Sequence, residues 1–443
     1  MNSVRVSVED LPGWRWQALA WAVTEQTHKD GFVAFLTNNG IPYPNDPFPN
    51  RLFIGAKRVI SFSGEKAPGV DAFQELQNAH REKPSFLVGY FGYDLKNQLE
   101  KLDSRNLDRL QFPDVYFVEP EWIIDFDKSD DLGNALIIQG EGDVSTLLNQ
   151  LRSFMTMATL VIPSVAPISS THCRVTPDEY QANVRRIQEH IRLGDVYELN
   201  YCIEFFKENA HLDPLATYRA LNERSPMPFS SFVKLGDRYI LGASPERFLK
   251  KTGRQILSQP IKGTVRRGQT PEEDAALRAY LLNSEKERAE NLMIVDLVRN
   301  DLAKSAETGS VHVDELFGIY GFQHVFQMIS SVSVTLRANV SWTEAIRNAF
   351  PMGSMTGAPK VRSMELIDEL EVSRRGVYSG ALGFVTPDGD FDFSVVIRTL
   401  LYDAQRQYAS FSVGSAITYD ADPAQEWEEC LLKAKAIRDV LES

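Results

Sequence analysis

Pro260-Ile261-Lys262-Gly263-Thr264, with Ser244-Pro245-Glu246 upstream and Arg266-Arg267 downstream, is the stretch around which the chain is read. Tyr239-Ile240-Leu241 has the composition of a strand, Gly242 and Pro245 punctuate it, and Gln255-Ile256-Leu257 reads as a second strand running into a turn. Laid antiparallel as a hairpin, these strands would bring Glu246 and Lys262 to the same end of a sheet. A carboxyl group and an amine facing one cavity can act as proton donor and nucleophile once burial and neighbours tune their pKa values. The alternative is a surface ion pair at a hairpin end, which spacing alone favours.

Composition narrows the classes. The 443 residues, 43% apolar, allow two or three globular domains. No apolar run is long enough to cross a bilayer, and the amino terminus lacks a basic-then-apolar signal pattern, so a cytoplasmic location is expected. Cys173, Cys202 and Cys430 show no CxxC spacing and offer neither a disulfide framework nor a zinc site. The net charge of −13 argues against nucleic acid or an anionic membrane as partner. An anionic small molecule is still allowed, because its site needs only a few local cations or a metal.

Outward from the central stretch, the first 165 residues read as a sheet-rich region, with a helix over 14–23 and strands at 31–36, 51–55, 86–94, 115–118 and 122–126. Residues 160–175, with prolines and clustered serines, read as a linker, and 166–443 as the chemically informative region. Thr176-Pro177-Asp178-Glu179 is a helix start with Thr as N-cap and Glu closing a capping box. After it, 196–203 is strand-like.

A helix beginning near Ser284 places Glu287 and Glu290 three residues apart on one face, continued by Ile294 and Leu297. Two carboxylates heading a core-facing stripe repel and lose hydration, a cost that Mg²⁺ would relieve. Ser284-x-x-Glu287 is also a capping box, which explains Glu287 without metal but not Glu290. The last helix, opened by Asp422-Pro423, repeats the device with Glu426 and Glu429, followed by Lys433. Its alternative is a solvated face with one Glu-to-Lys pair; a second acidic pair in the chain favours a shared Mg²⁺ site. The loop 350–360 carries glycines, hydroxyls and Lys360 and could offer N–H groups to an anion at the start of the next helix, but it lacks P-loop spacing. Residues 378–385 and 393–399 read as buried strands, and Arg398 in the second needs a carboxylate, from a ligand or from the protein.

Gly242-Ala-Ser-Pro-Glu-Arg-Phe248, Pro260 to Thr264, Ala289-Glu-Asn-Leu-Met-Ile-Val-Asp-Leu-Val-Arg-Asn-Asp301, Phe350 to Lys360, Ile397-Arg-Thr399 and Glu426-x-x-Glu429-x-x-x-Lys433, in that order, resemble the chorismate-utilising enzymes. The resemblance covers about residues 176 to 440, with a weaker amino-terminal likeness at Val88 to Asp94. It implies an α+β fold of antiparallel sheets packed as a sandwich with helices outside. Members that make anthranilate, isochorismate or salicylate usually carry alanine at the position of Lys262; the lysine form resembles the component I enzymes of aminodeoxychorismate synthase. There the amine is thought to attack C2 of chorismate and expel the C4 hydroxyl, after which ammonia adds at C4. The resemblance makes Lys262 the nucleophile and Glu246 the general acid. Glu290 and Glu429 become Mg²⁺ ligands with Glu287 and Glu426 beside them, and Ser354, Tyr378, Arg398, Gly414, Lys433 and the backbone at Gly263 and Thr264 become substrate contacts. It further implies a separate glutamine amidotransferase subunit as ammonia source. The rival readings are anthranilate synthase component I and a non-catalytic chorismate-binding scaffold.

The chain departs from the family at Glu198, where amine-adding members usually have glutamine and water-adding ones lysine, and at Gln327, where many have histidine. The amino-terminal tryptophan-binding motif of the feedback-regulated members is not recognisable, so tryptophan regulation is not expected.

Overall fold

The computed structural model describes residues 2–8, 10–64, 69–129, 133–157 and 170–442. Alternation of side chains along the strands is the source of its layering. In Phe32–Thr37 every residue is buried. Phe32, Ala34 and Leu36 point to one apolar cluster, and Val33 and Phe35 to another. A strand buried on both faces must lie between two packed layers.

The described residues form a twelve-stranded and a ten-stranded antiparallel sheet. The cluster between them takes Phe53, Phe229, Val233, Ile240 and Leu401 from the first sheet, and Val88, Tyr90, Ile329, Leu382 and Phe384 from the second. The outer face of the twelve-stranded sheet is covered by the helices Leu11–Glu25, Pro177–Arg192 and Pro423–Glu442, through Leu19, Val184, Ile187, Ile437 and their neighbours. The outer face of the other is covered by Ala72–Glu82, Glu285–Ala303 and Trp342–Ala349, through Phe73, Leu76, Ile294, Val295 and Ile346. This is the expected α+β sandwich.

Both sheets are shared by the two halves of the chain. Phe32–Thr37 pairs with Phe229–Leu235, and Leu87–Phe91 pairs with Ala381–Val385. The linker read at 160–175 falls largely at 158–169, outside the described residues, as does the boundary placed at 165. The capping box at Thr176 is formed in full, with Thr176 accepting from the Glu179 N–H and the Glu179 carboxylate returning to the cap.

Two strand readings need correction. Tyr239-Ile240-Leu241 and Gln255-Ile256-Leu257 are not a hairpin. Arg238–Ser244 pairs with Phe229–Leu235 and Thr399–Asp403 in the twelve-stranded sheet. Gln255–Gln259 pairs with Arg247–Thr252 in the other. Pro245, which cannot donate to a ladder, marks the point where the chain changes sheets. Residues 393–399 are likewise not one strand. Phe391–Val395 ends in the ten-stranded sheet and Thr399–Asp403 begins in the twelve-stranded one, with Arg398 between them at φ 52°.

Candidate active site

The two crossings lie side by side. The Ala243 N–H donates to the Arg398 carbonyl at 3.1 Å, and the Val395 N–H donates to the Glu246 carbonyl at 3.0 Å. Glu246 and Arg398 are therefore placed together at the seam of the sandwich by backbone pairing, each on a segment that has left one ladder and not yet joined the next. Ladder geometry leaves such residues free to aim inward.

Glu246 is buried, and burial pushes its carboxyl up to about 7, against the pull of Lys262 and of the Ile261 backbone. Ser354 Oγ faces it without closing a well-formed hydrogen bond, and is buried with no other partner. Lys262 lies on Ile261–Arg266, at one edge of the ten-stranded sheet, with only 11% of its side chain exposed. The surface ion-pair alternative is thereby ruled out. Its Nζ donates to Glu198 Oε1 at 2.7 Å, across to the first residue of the Glu198–Lys207 strand of the other sheet. Burial favours the neutral amine, but the charges of Glu198 and Glu290 outweigh it and hold Lys262 above its usual range as an ammonium.

Gly263 follows at φ +94°, where a Cβ would stand 3.0 Å from Glu287 Oε2 and 3.2 Å from Leu281 Cδ1. Only glycine lets this backbone turn against the first acidic helix. Thr264 is exposed and pairs with the buried Gln327, whose Oε1 has no partner. Asn291 ties helix to strand, accepting from Ser330 Oγ at 2.6 Å and reaching the Lys262 carbonyl at 3.5 Å.

The acids of the two helices converge on this place. Ser284 caps Glu285–Ala303 by accepting from the Glu287 N–H at 3.4 Å, yet the Glu287 carboxylate turns toward Gly263 and does not complete a capping box. Burial raises Glu290 to about 7, with Glu198 and Glu287 adding to it. Burial also raises Glu287 and Glu426, each faced by Glu429. Glu429 is held below its usual range by the Lys433 ammonium at 2.6 Å, against the cost of partial burial. The Lys286 ammonium stands 3.9 Å from both Glu290 and Glu426. A single exposed ammonium thus stands between the helices, and its partners are carboxylate oxygens, the set a hard divalent ion prefers. Among the described residues, however, no three such side chains are drawn close enough to surround one ion.

The remaining expected contacts line the other side. Lys433 Nζ also donates to the Gly414 carbonyl at 2.8 Å. A Cβ on Gly414 would meet Cys202 Sγ at 2.5 Å and the Tyr201 carbonyl at 2.7 Å. Tyr378 is buried with its hydroxyl 3.6 Å from Cys202 Sγ. Arg398 is half-buried and has no ion-pair partner among the described residues; the structural-acid alternative for it is not met. The 350–360 loop, read as an anion site, commits part of its polar groups internally. Lys360 is buried against Asp301 and the Pro351 carbonyl, and the Met355 and Thr356 N–H groups bond within the loop. Sequence reasoning missed the contact of Glu198 and the position of Lys286; an acid at the head of the strand Glu198–Lys207, where relatives usually carry glutamine or lysine, was the available signal for the first.

The site is a seam carrying an acid near neutrality, a buried ammonium, a guanidinium with no ion-pair partner among the described residues, and four helix-borne carboxylates. Residues 43–439 match the family described as chorismate binding enzyme. The chain is 37% identical to the probable chloroplastic aminodeoxychorismate synthase of Oryza sativa subsp. japonica, over 80% of this chain and 43% of that protein. It is 37% identical to aminodeoxychorismate synthase component 1 of Klebsiella aerogenes, over 80% and 77% of the respective lengths. Among solved structures, anthranilate synthase component I from Streptococcus pneumoniae superposes with a TM-score of 0.75 at 28% identity, covering 90% of this chain and 94% of that one. The chain spans less than half the length of the rice relative and about three quarters of the Klebsiella one. With a family match that runs through both sheets and both acidic helices, the chain belongs to the chorismate-binding enzymes.

Proposed function

We propose that this chain aminates chorismate to 4-amino-4-deoxychorismate, acting as the component I of an aminodeoxychorismate synthase. The observation that carries the reading is Lys262, an amine buried at the seam beside a carboxyl that burial keeps protonated near neutral pH. Lys262 Nζ attacks C2, both ring double bonds shift by one place, and the C4–O bond breaks as Glu246 protonates the departing oxygen. Ammonia then forms the C4–N bond and the C2–N bond to Lys262 breaks.

Arg398, without an ion-pair partner among the described residues, binds one carboxylate of the dianion in fork geometry, with Lys433 of the last helix as a second cation for it. Glu290 and Glu429 would hold Mg²⁺, with Glu287 and Glu426 beside them, the ion taking the place of the Lys286 ammonium charge. When bound, the ion supplies charge neutralisation and orientation for a substrate carboxylate. The ammonia would come from a glutamine amidotransferase subunit, a reading supported by the name component 1 of the Klebsiella relative. A cytoplasmic setting is supported by three unpaired cysteines and by the lack, among the described residues, of a helix long and apolar enough to cross a membrane.

The test is a product assay with chorismate, Mg²⁺ and ammonium. A fluorescent anthranilate product without any added lyase would replace this reading with the anthranilate one. 4-Aminobenzoate appearing only after a lyase is added supports it.

A further inference from the structure

We propose that Glu198 is the proton acceptor that frees Lys262 for attack. The inference rests on the amination reading above and deepens it.

In the resting site Lys262 is an ammonium, which has no lone pair with which to form a bond. Among the described residues, Glu198 is the one acid in contact with its Nζ, at 2.7 Å. Glu246 is near but has to carry its own proton to the leaving oxygen, and Glu290 acts on Lys262 through space without an ion-pair contact. Glu198 is 2% exposed, and while Oε1 holds the lysine, its Oε2 is buried with no hydrogen-bond partner among the described residues. A carboxylate kept only to tie the two sheets together would be expected to satisfy both oxygens, because a buried unpaired one costs stability. Oε1, already accepting from the lysine Nζ, is the oxygen placed to receive the proton, and Oε2 is left without a compensating donor among the described residues.

The steps balance. One proton passes from Lys262 Nζ to Glu198, and the freed pair forms the N–C2 bond. The C4–O bond breaks with the Glu246 proton, releasing water. Ammonia bonds to C4, the N–C2 pair returns to Lys262, and Glu198 gives its proton back. Glu246 recovers a proton from the new C4 ammonium.

The experiment compares wild type, Glu198→Gln and Glu198→Asp by intact mass after mixing with chorismate and Mg²⁺ without ammonium, and then by turnover with ammonium. Wild type is expected to gain the mass of chorismate less water. Glu198→Gln keeps the shape but cannot take the proton, and is expected to form this adduct about 100-fold more slowly. Its chorismate Kd by calorimetry and its melting temperature should stay close to wild type. Glu198→Asp, which retains the charge with a shorter reach, should fall between. A Gln variant that forms the adduct at the wild-type rate, or an Asp variant no faster than Gln, overturns the assignment of Glu198 while leaving amination standing. Wild type that forms neither adduct nor aminated product overturns the amination reading and this inference with it.

Discussion

Lys262 and Glu246 are opposite uses of burial. The amine loses water but gains two carboxylates and stays charged, whereas the acid loses water with too little compensation and stays protonated to about pH 7. As a general acid Glu246 must be protonated, so turnover should fall as pH rises through about 7, approaching tenfold per unit above it; a rate–pH profile checks this. Stability follows the same sign. A carboxyl whose folded pKa is raised binds its proton more tightly when folded, so its burial costs nothing below the unfolded value near 4.5. The cost grows as pH rises to about 7 and is constant beyond, at up to about 3 kcal/mol. Glu246→Gln should therefore melt higher than wild type at pH 8 while losing turnover. Lys262→Ala should lose about 100-fold or more in turnover yet bind chorismate and Mg²⁺. Calorimetry showing lost binding would make the lysine an anchor and not a nucleophile.

At the scale of elements, the site depends on two helices set against two strands. Glu285–Ala303 packs on the Lys262 strand through Gly263 and Asn291, and Pro423–Glu442 reaches the Gly414 strand through Lys433. If the four glutamates hold Mg²⁺, a chelator should abolish turnover and added Mg²⁺ restore it. Protons should compete with the ion at Glu290, weakening Mg²⁺ affinity as pH drops below about 7. Isothermal titration at pH 6 and 8 reads this directly. Gly414→Ala would force its methyl into the Tyr201 carbonyl and Cys202 Sγ, prying apart the ladder that holds Lys433. A loss of about 1–3 kcal/mol in urea unfolding is expected.

At the scale of the whole molecule, the sandwich is fastened where the chain changes sheets. Arg247, fully buried, makes a two-point pair with Asp392 at 2.9 and 3.0 Å and also donates to Gln259 and to the Asp46 carbonyl. Replacing it with methionine leaves Asp392 buried and unpaired, at an expected cost of about 3–5 kcal/mol, measurable as a lower urea midpoint. The acidic pairs, the helix starts and most strands were legible in the sequence, because periodicity, capping residues and prolines act over a few neighbours. Lys262 and Glu246 were legible as residues, though their hairpin was not, since the apolar runs around Pro245 look the same whether the next strand joins one sheet or the other. Sequence alone thus determined which chemical groups this protein possesses and which faces they share within an element. The meeting of Glu198 with Lys262, the emergence of Arg398 without an ion-pair partner among the described residues and the raised pKa of Glu246 were decided by the tertiary structure, because pairing across sheets and loss of water are properties of packed layers and not of neighbours in the chain.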